Sequence, residues 1–261
     1  MEPWRGKWAL ITGASAGIGW ALAEQLAAGG THLILTARRR ERLEALAEKL
    51  SKQHGVRIEV FPADLTLPDA PEHLFAFTEK QRIAVDLLVN NAGFGMYGPF
   101  PSSDCSRQVE MVQLNVTAVV TLTHLYVPGM IERRRGDILI VSSIAAFQGV
   151  PYLTTYAATK AFDLLFAEAL AEEVRRYGIR VCALCPGSTV TEFQEVAGEP
   201  HRLIRHAETA AQVARVGLEA LARGRSYAIS GVANYLLTHA QRLVPRQFVT
   251  RMAAKITRPS D

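Results

Sequence analysis

Tyr156 and Lys160 are the two side chains in this sequence whose types and spacing point most directly to chemistry. They lie four positions apart at the start of a long helical pattern, so both are expected on one helix face, one turn apart. A phenol has an unperturbed pKa of about 10 and is a poor acid or base near neutral pH. A neighbouring ammonium group favours the phenolate and lowers that pKa. We therefore predict that the pair acts as a proton donor and acceptor.

A glycine-rich loop at residues 12–19 has the spacing Gly-x-x-x-Gly-x-Gly. It follows the apolar run 8–11, which predicts a buried strand, and it leads into a helical pattern. This context suits the phosphates of a dinucleotide, because glycines let the backbone turn tightly and approach a pyrophosphate. We predict a dinucleotide phosphate site here.

Small polar residues follow two further predicted strands. Residues 90–93 read Asn-Asn-Ala-Gly directly after the apolar run 85–89, and Ser142 and Ser143 follow the run 136–141. Ligands of doubly wound sheets bind at the carboxyl ends of the strands. Both groups are therefore candidates for a ligand site.

Strand and helix patterns alternate along the chain, which predicts a parallel sheet covered by helices on both faces. The predicted strands are 8–12, 32–36, 57–62, 87–90, 137–142, 180–184 and 226–230. The predicted helices are 17–28, 39–53, 70–81, 106–134, 154–177 and 207–223.

These motifs together resemble those of the short-chain dehydrogenase/reductase family. The resemblance covers residues 7–231 and rests on the glycine loop, Asp64-Leu65, Asn90-Asn91-Ala92-Gly93, Asn115, Ser143, Tyr156-x-x-x-Lys160 and Pro186-Gly187 with Thr191. It implies an α/β fold, a doubly wound Rossmann-type three-layer sandwich with a central parallel seven-stranded sheet. It also implies hydride transfer between a nicotinamide cofactor and a carbonyl or secondary alcohol.

The same resemblance implies a role for each motif. Tyr156 is the general acid/base, and Lys160 lowers its pKa and binds the nicotinamide ribose. Ser143 hydrogen-bonds the substrate oxygen, and Asn115 holds a water in a proton relay to Lys160. The cofactor-binding residues are Gly13, Ser15, Gly17, Ile18, Gly19, Arg38, Arg39, Asp64, Leu65, Asn91, Ala92, Gly93, Tyr156, Lys160, Pro186, Gly187, Thr189 and Thr191. A core asparagine bonded to backbone is the alternative for Asn115, because it lies in an apolar stripe.

The end of the second predicted strand indicates the choice of cofactor. An acidic residue about here would bind a ribose 2′-hydroxyl and repel a 2′-phosphate, but this chain has Ala37 followed by three arginines. Arg38 is best placed to meet the phosphate, and Arg39 is a candidate to stack on adenine. We expect NADP(H) in preference to NAD(H), with a solvated basic helix start as the alternative.

Bulk properties fit a single catalytic domain. The 261 residues, 49% of them hydrophobic, suffice for one α/β domain with a full core. We assign residues 1–231 to that domain and 232–261 to a basic helical extension packed on it. No signal peptide and no apolar run near the ~20 residues that span a bilayer are expected. Cys182 and Cys185 are predicted to be buried thiols without a metal, which favours a cytoplasmic location.

The segment after Glu219 carries seven basic residues and no acidic residue before Asp261. Apolar residues are interleaved at roughly helical spacing. Such a segment can lie on an anionic membrane surface as a peripheral contact, or cover the substrate cavity with a solvated basic face. The second interpretation is favoured here, and it predicts that Leu236, Leu243 and Phe248 are buried. Nucleic acid binding is not expected, because no recognised reading motif accompanies the charge.

Two other functions remain open. A non-catalytic NADP(H) sensor on the same fold would typically lack the Tyr or the Lys, and a sugar-nucleotide epimerase would normally carry a larger C-terminal domain. A hydrophobic small-molecule substrate is suggested by Phe94, Met96, Tyr97, Phe147, Tyr152 and Phe193. The resemblance also implies that predicted helices 106–134 and 154–177 pair across a two-fold axis in a homodimer or homotetramer.

Overall fold

A parallel sheet of seven strands forms the centre of the molecule, for which the computed structural model describes residues 3–200 and 207–259. Its strands, in chain order, are β1 (Trp8–Thr12), β2 (His32–Thr36), β3 (Ile58–Val60), β4 (Val85–Asn90), β5 (Gly136–Val141), β6 (Ile179–Cys185) and β9 (Tyr227–Ile229). Their spatial order is β3-β2-β1-β4-β5-β6-β9. Every residue of β4 and β5 is buried, as expected for strands covered on both faces. The predicted fold class is confirmed.

Helices cover both faces of this sheet. In chain order they are α1 (Gly17–Ala28), α2 (Arg40–His54), α3 (Ala70–Lys80), α4 (Cys105–Val112), α5 (Ala118–Glu132), α6 (Thr154–Val174), α7 (Phe193–Ala197), α8 (Ala210–Ala222), α9 (Val232–Ala240) and α10 (Arg246–Thr257). Successive strand residues face opposite layers, so Ile11 packs in a core with α1 and α8, whereas Leu10 packs in a core with α5 and α6.

Two predicted helices are interrupted. The segment predicted at 106–134 is α4, then a π-helical turn at Gln113–Thr117, then α5. The segment predicted at 154–177 is α6 followed by a 3₁₀ turn at Arg175–Tyr177. Periodicity alone does not distinguish these local changes of hydrogen bonding from a continuous α-helix.

A small second sheet was not predicted. Strand β7 (Thr189–Val190) pairs in parallel with β8 (Glu208–Thr209). Two-residue strands carry too little pattern to be recognised in a sequence. Their pairing fixes the chain that follows β6 beside the start of α8.

The carboxyl ends of β1 and β4 meet at the point where the strand order reverses direction. β1 lies between β2 and β4. The chain leaving β1 continues to β2 on one side of it, and the chain leaving β4 continues to β5 towards the other edge of the sheet. A crevice forms at such a point in doubly wound sheets. The glycine loop follows β1, and residues 90–93 follow β4, which places both motifs at this crevice.

The helical stretch Cys105–Glu132 corrects one expectation from the sequence. By length and composition it is apolar enough to cross a membrane, with a mean hydropathy of 1.4 over its most apolar window. Of that window, 39% is buried inside the protein. Leu122 and Met130, in the α5 part of the stretch, belong to the hydrophobic core on one face of the sheet.

Helix α10 rests on loops beside the crevice. The Tyr97 hydroxyl donates a hydrogen bond to the Thr257 carbonyl over 2.7 Å. The Thr257 hydroxyl donates in turn to the Pro151 carbonyl over 2.9 Å. Small side chains on one face of α10, including the buried Ala253, allow this close approach.

The prediction that the large apolar side chains of the tail are buried is wrong. Leu236 is 61% exposed, Leu243 is 89% exposed and Phe248 is 56% exposed. The tail attaches through small residues and hydrogen bonds, so these side chains are not used in packing on the body. The favoured interpretation was that the tail covers the cavity with buried apolar side chains and a solvated basic face. The exposure of these side chains removes its main support.

Candidate active site

A cavity of about 440 Å³ opens at the carboxyl edge of the sheet. This volume lies within the range of small-molecule and cofactor sites. Its walls include most of the residues predicted from the sequence: Gly13, Ser15, Gly17, Ile18, Arg38, Arg39, Asp64, Leu65, Asn91, Ala92, Gly93, Ser143, Tyr156, Lys160, Pro186, Gly187, Thr189 and Thr191. Two predicted residues, Gly19 and Asn115, lie behind the wall. Of the six apolar residues predicted to meet the substrate, only Phe94 and Phe193 line the cavity. The other four do not: Met96, Tyr97, Phe147 and Tyr152.

The first and third glycines of the loop, Gly13 and Gly19, leave no room for a side chain. A Cβ on Gly13 would lie 2.8 Å from Asn91 Nδ2, and one on Gly19 would lie 2.4 Å from the Gly13 carbonyl oxygen. Gly13 also has φ of +67°, a conformation that L side chains rarely adopt. The backbone can therefore approach a ligand more closely here than any side chain would permit, which fits a pyrophosphate.

Asn91 holds this loop in place. Its side-chain amide donates to the Thr12 carbonyl over 2.8 Å and to the Gly13 carbonyl over 3.3 Å. The Thr12 hydroxyl, itself buried, accepts hydrogen bonds from the backbone N–H groups of Asn91 and Ala92. The ends of β1 and β4 are thus tied together beneath the cavity. Asn91 therefore positions the glycine loop.

Arginine side chains line the end of the cavity next to β2. Arg38 is exposed and lies 4.0 Å from Asp64. Arg39 donates two hydrogen bonds to the Ser15 hydroxyl and forms an ion pair with Glu192 at 2.6 Å. The Arg39 side chain is therefore held across the glycine loop by Ser15 and Glu192. Among the described residues, the Arg38 side chain has only the longer contact with Asp64.

Asp64 faces this same end but is partly occupied by its own turn. One carboxylate oxygen accepts from the Thr66 N–H and the Thr66 hydroxyl. The other oxygen is the one near Arg38. Asp64 therefore caps its own turn and not a helix, because α3 begins only at Ala70.

The segment after β6 closes the opposite wall. A Cβ on Gly17 would lie 3.0 Å from Thr191 Cγ2, so this segment touches the glycine loop. A Cβ on Gly187 would lie 2.3 Å from Asn234 Nδ2, so α9 backs the turn directly. The Thr189 hydroxyl donates to the Gly187 carbonyl over 3.1 Å. The predicted Pro186-Gly187 turn is thus fixed from both sides.

Tyr156 lies in the first turn of α6 and is 9% exposed. Burial raises the pKa of its phenol, although the Lys160 ammonium and a hydrogen bond with Ser143 both lower it. The net direction is opposite to the lowered pKa predicted from the pair alone. Desolvation of the charged phenolate outweighs the attraction of the ammonium group, which has a second partner.

That second partner of Lys160 is Asp163. The ammonium group donates to the Asp163 carboxylate over 2.9 Å and to the Val141 carbonyl over 2.8 Å. Burial alone would lower the pKa of Lys160, but the neighbouring carboxylate and phenol reverse this and raise it. Burial also raises the pKa of Asp163 to about 6 despite the attraction of Lys160. Sequence reasoning missed Asp163, whose position three residues after Lys160 was the available signal.

Asn115 connects the site to the loop after β4. Its side chain accepts from the Phe94 N–H over 3.1 Å and donates to the Phe94 carbonyl over 3.0 Å. It also donates to the Thr159 hydroxyl over 3.0 Å. The alternative interpretation, a core asparagine bonded to backbone, describes these contacts. Asn115 lies in the π-helical turn, a feature frequent at functional sites.

Apolar side chains surround the mouth of the cavity near Tyr156. Phe193 of α7 lies 5.2 Å from Tyr156, measured between ring centroids. Phe94 and Leu153 line the same wall. Glu199 also lines it, and burial raises the pKa of its carboxyl. The segment that contains α7 and Glu199 therefore borders the site, and residues 201–206, which follow it, lie outside the described part of the chain.

The arrangement suits proton transfer next to a bound dinucleotide. The hydroxyls of Ser143 and Tyr156 face one cavity, and the ammonium of Lys160 lies beside the phenol. A nicotinamide dinucleotide fits this donor set, because the glycine loop leaves room for its pyrophosphate and the arginines offer cations beyond it. The residues present therefore match the cofactor implied by the sequence.

Comparison with known proteins places the chain among relatives with this architecture. A family model described as short chain dehydrogenase matches residues 7–201. The very-long-chain 3-oxoacyl-CoA reductase of Bos taurus is 33% identical over 201 residues, covering 75% of this chain and 64% of that protein. The 17-beta-hydroxysteroid dehydrogenase type 3 of Mus musculus is 38% identical over 189 residues, covering 71% of this chain and 61% of that protein. The chain thus spans less than two thirds of the length of these relatives.

A solved structure agrees with the fold. The short-chain dehydrogenase from Sphingobium yanoikuyae, in complex with NADPH, has a TM-score of 0.82 and 30% sequence identity, covering 91% of this chain and 94% of that one. With the match over residues 7–201, these findings identify the family. The chain belongs to the short-chain dehydrogenase/reductase family.

Proposed function

We propose that this family member is an NADP(H)-dependent oxidoreductase that transfers a hydride between the nicotinamide and a carbonyl or secondary alcohol. The observation that carries the proposal is the convergence of Tyr156, Ser143 and Lys160 on one cavity. The glycine loop and Arg38 line the same cavity. A proton donor and a dinucleotide site are the two parts that such a reaction needs.

In the proposed reduction, the bound cofactor supplies the hydride and Tyr156 supplies the proton. The hydroxyls of Ser143 and Tyr156 donate hydrogen bonds to the carbonyl oxygen and stabilise the negative charge that develops on it. Tyr156 then transfers its proton to that oxygen. The Lys160 ammonium stabilises the resulting phenolate. In alcohol oxidation the same groups act in reverse.

The environment of Tyr156 keeps the phenol in the protonated form that carbonyl reduction requires. Because burial raises the pKa of the phenol, the side chain holds its proton at neutral pH in the protein alone. A protonated phenol is the form that reduction requires. The buried Asp163 balances the charge of Lys160 and so limits how strongly the phenolate is stabilised.

Preference for NADP(H) rests on the arginines at the cavity end. Ala37 occupies the place where an acidic residue would bind a ribose 2′-hydroxyl, and Arg38 is exposed beside it. A guanidinium group pairs with phosphate through charge-assisted hydrogen bonds. The NADPH complex of the Sphingobium yanoikuyae relative supports the same preference.

A bulky apolar carbonyl compound is the proposed substrate class. Phe94, Leu153 and Phe193 offer an apolar wall beside the reacting hydroxyls. The two curated relatives are named as a reductase of very-long-chain 3-oxoacyl-CoA and as a 17-beta-hydroxysteroid dehydrogenase. These names support the class without fixing the molecule.

Homodimer or homotetramer formation through α5 and α6, in a cytoplasmic protein, is part of the same proposal. Val120 on α5 and Leu165 on α6 are exposed, with Leu165 at 65%. Light scattering at micromolar concentration tests the assembly. A monomer at that concentration contradicts it.

A panel of ketones of increasing apolar bulk tests the activity. Purified protein is mixed with NADPH or NADH and with a small ketone, a steroid ketone or a 3-oxoacyl thioester, and consumption of the reduced cofactor is followed by absorbance. We expect NADPH to be consumed faster than NADH, at rates that rise with substrate bulk. Tight NADPH binding without consumption by any carbonyl compound would instead support the non-catalytic sensor.

A further inference from the structure

Exposed apolar side chains are concentrated in the C-terminal segment. Of the seventeen large hydrophobic side chains that are exposed in the described part of the chain, nine lie between residues 232 and 256. They are Val232, Tyr235, Leu236, Leu237, Leu243, Val244, Phe248, Met252 and Ile256, which we call the tail surface. Soluble proteins seldom leave so many apolar side chains together without a partner.

Helix α10 is arranged in three stripes. Val249, Ala253 and Thr257 recur every four residues and turn towards the protein, with the last two buried. Phe248, Met252 and Ile256 form the next stripe and are exposed. Arg251 and Lys255 follow, also exposed. Residues four apart share a helix face, so the exposed side of α10 is apolar along one edge and basic along the other.

The inner face of α10 already packs on the protein, so the tail-surface residues of α10 lie on its outer face. The Thr257 backbone and hydroxyl bond to Tyr97 and Pro151. The backbone N–H of Tyr97 donates to the Ala197 carbonyl in α7, the helix whose Phe193 lies over Tyr156. Helix α10 is therefore attached to loops that border the cavity.

Charge decides which partner this surface suits. Arg242, Arg246, Arg251 and Lys255 are all exposed, and no acidic residue occurs from 220 to 260. A two-fold contact between copies would press this basic surface against itself, since such an interface presents the same patch from both sides. An anionic surface with an apolar interior satisfies both the cations and the apolar side chains.

We propose that the tail surface docks on the surface of an anionic phospholipid bilayer. The apolar stripe of α10 and Leu243 enter the boundary between headgroups and acyl chains, and the basic side chains contact lipid phosphates. Several basic residues near such a surface act together, and their attraction falls off within a Debye length. Binding is therefore expected to be peripheral, reversible and sensitive to salt. The proposal does not depend on the oxidoreductase activity.

Flotation with lipid vesicles tests the proposal on the chain of 261 residues. The probes are vesicles of phosphatidylcholine alone and vesicles of phosphatidylcholine mixed with the anionic lipid phosphatidylglycerol. Wild-type protein is expected to float with the anionic vesicles at low salt, and to be released at high salt. Neutral vesicles should carry at least about tenfold less protein.

Matched variants separate the two contributions. Leu243→Ser with Phe248→Ser should abolish flotation. Leu67→Ser alters a leucine that is 60% exposed in the loop before α3 and should leave flotation unchanged. Arg251→Glu with Lys255→Glu should also abolish it. Lys52→Glu with Arg175→Glu changes the net charge equally at exposed sites outside the tail and should retain most binding.

Three outcomes would overturn the proposal. The first is absence of wild-type flotation with anionic vesicles at low salt. The second is that charge makes no difference to flotation. The wild type would then float equally with neutral vesicles, or Arg251→Glu with Lys255→Glu would float as well as the wild type. The third is self-association in light scattering, without lipid, that Leu243→Ser with Phe248→Ser abolishes. That result would assign the tail surface to a second copy of the chain.

Discussion

Lys160 and Asp163 form an ion pair of 2.9 Å in which the two side chains are 7% and 1% exposed. The proposed phenolate-stabilising cation therefore has a buried counterion of its own. One oxygen of Asp163 has no hydrogen-bond partner among the described residues, so the carboxylate is held mainly by the lysine. This pairing fixes the position of the ammonium group one helical turn below Tyr156.

Asp163→Asn is expected to move the pH dependence of carbonyl reduction. The carboxylate raises the pKa of both Lys160 and Tyr156, so its removal lowers both pKa values. Reduction requires the protonated forms of both groups. The alkaline limb of the pH profile of kcat should therefore shift to lower pH by about one unit or more.

Two further titratable groups face the Lys160 and Tyr156 side chains, so the experiment needs a control that keeps the charge at position 163. The Cys185 thiol faces Lys160 from β6, and Glu199 faces Tyr156 from the loop after α7. Asp163→Glu keeps the charge and should restore the alkaline limb towards its original position. A pH profile of Asp163→Asn that superimposes on the wild-type profile would show that Asp163 has only a structural role.

Gly13→Ala is expected to weaken NADPH binding because of its neighbours as well as its backbone conformation. A Cβ at this position would lie 2.8 Å from Asn91 Nδ2 and 2.9 Å from the Ala92 Cα. The loop must then move, and we expect the dissociation constant for NADPH, measured by fluorescence titration, to rise about tenfold or more.

Gly55→Ala is the matched control for that substitution. Gly55 has φ of +66°, nearly the same as Gly13, but its Cβ would meet no atom within 4 Å. The strained backbone should cost about 1–2 kcal/mol of the free energy of unfolding, with unchanged NADPH binding. If both variants bind NADPH equally well, the glycine loop does not contact the cofactor.

Much of the site was predictable because its motifs follow strands. Gly13, Asn91 and Ser143 come just after β1, β4 and β5, whose carboxyl ends necessarily meet at one edge of a parallel sheet. Asp163 was not predictable in the same way, since three positions after Lys160 an aspartate looks like any helical residue. Its burial depends on how α6 packs on the sheet.

The direction of the Tyr156 pKa and the exposure of the tail also needed the structure. The sequence identifies the ammonium group that attracts a phenolate, but desolvation depends on the packing around the whole side chain. Likewise, the amphipathic pattern near Phe248 marks an apolar face without saying which surface covers it. The pattern was consistent with packing on the body, and the structure leaves that face exposed.

Arg38→Ala is expected to reduce the preference for NADPH. A guanidinium hydrogen bond to a phosphate contributes about 1.5–3 kcal/mol, so the dissociation constant for NADPH should rise roughly ten- to a hundredfold. Binding of NADH, which lacks the 2′-phosphate, should change little. Calorimetric titration of both cofactors measures the two effects.

Arg40→Ala provides the control for Arg38. Arg40 is also exposed, but it pairs with Glu44 on α2 and does not line the cavity. Its replacement should leave both cofactor affinities unchanged. Equal effects of the two substitutions would indicate that the arginines act only through general positive charge, and unchanged affinity in Arg38→Ala would indicate that Arg38 does not meet the phosphate.

Tyr156→Phe is the decisive substitution for the proposed role of Tyr156 as the proton donor in a reduction that uses NADPH. The substitution removes one hydroxyl and leaves the ring that packs on Phe193. With NADPH and an active ketone from the panel, we expect the single-turnover rate of NADPH consumption to fall about a hundredfold or more, with nearly unchanged NADPH affinity. A variant that binds NADPH normally and reduces the ketone at close to the wild-type rate would contradict the assignment of Tyr156 as the proton donor.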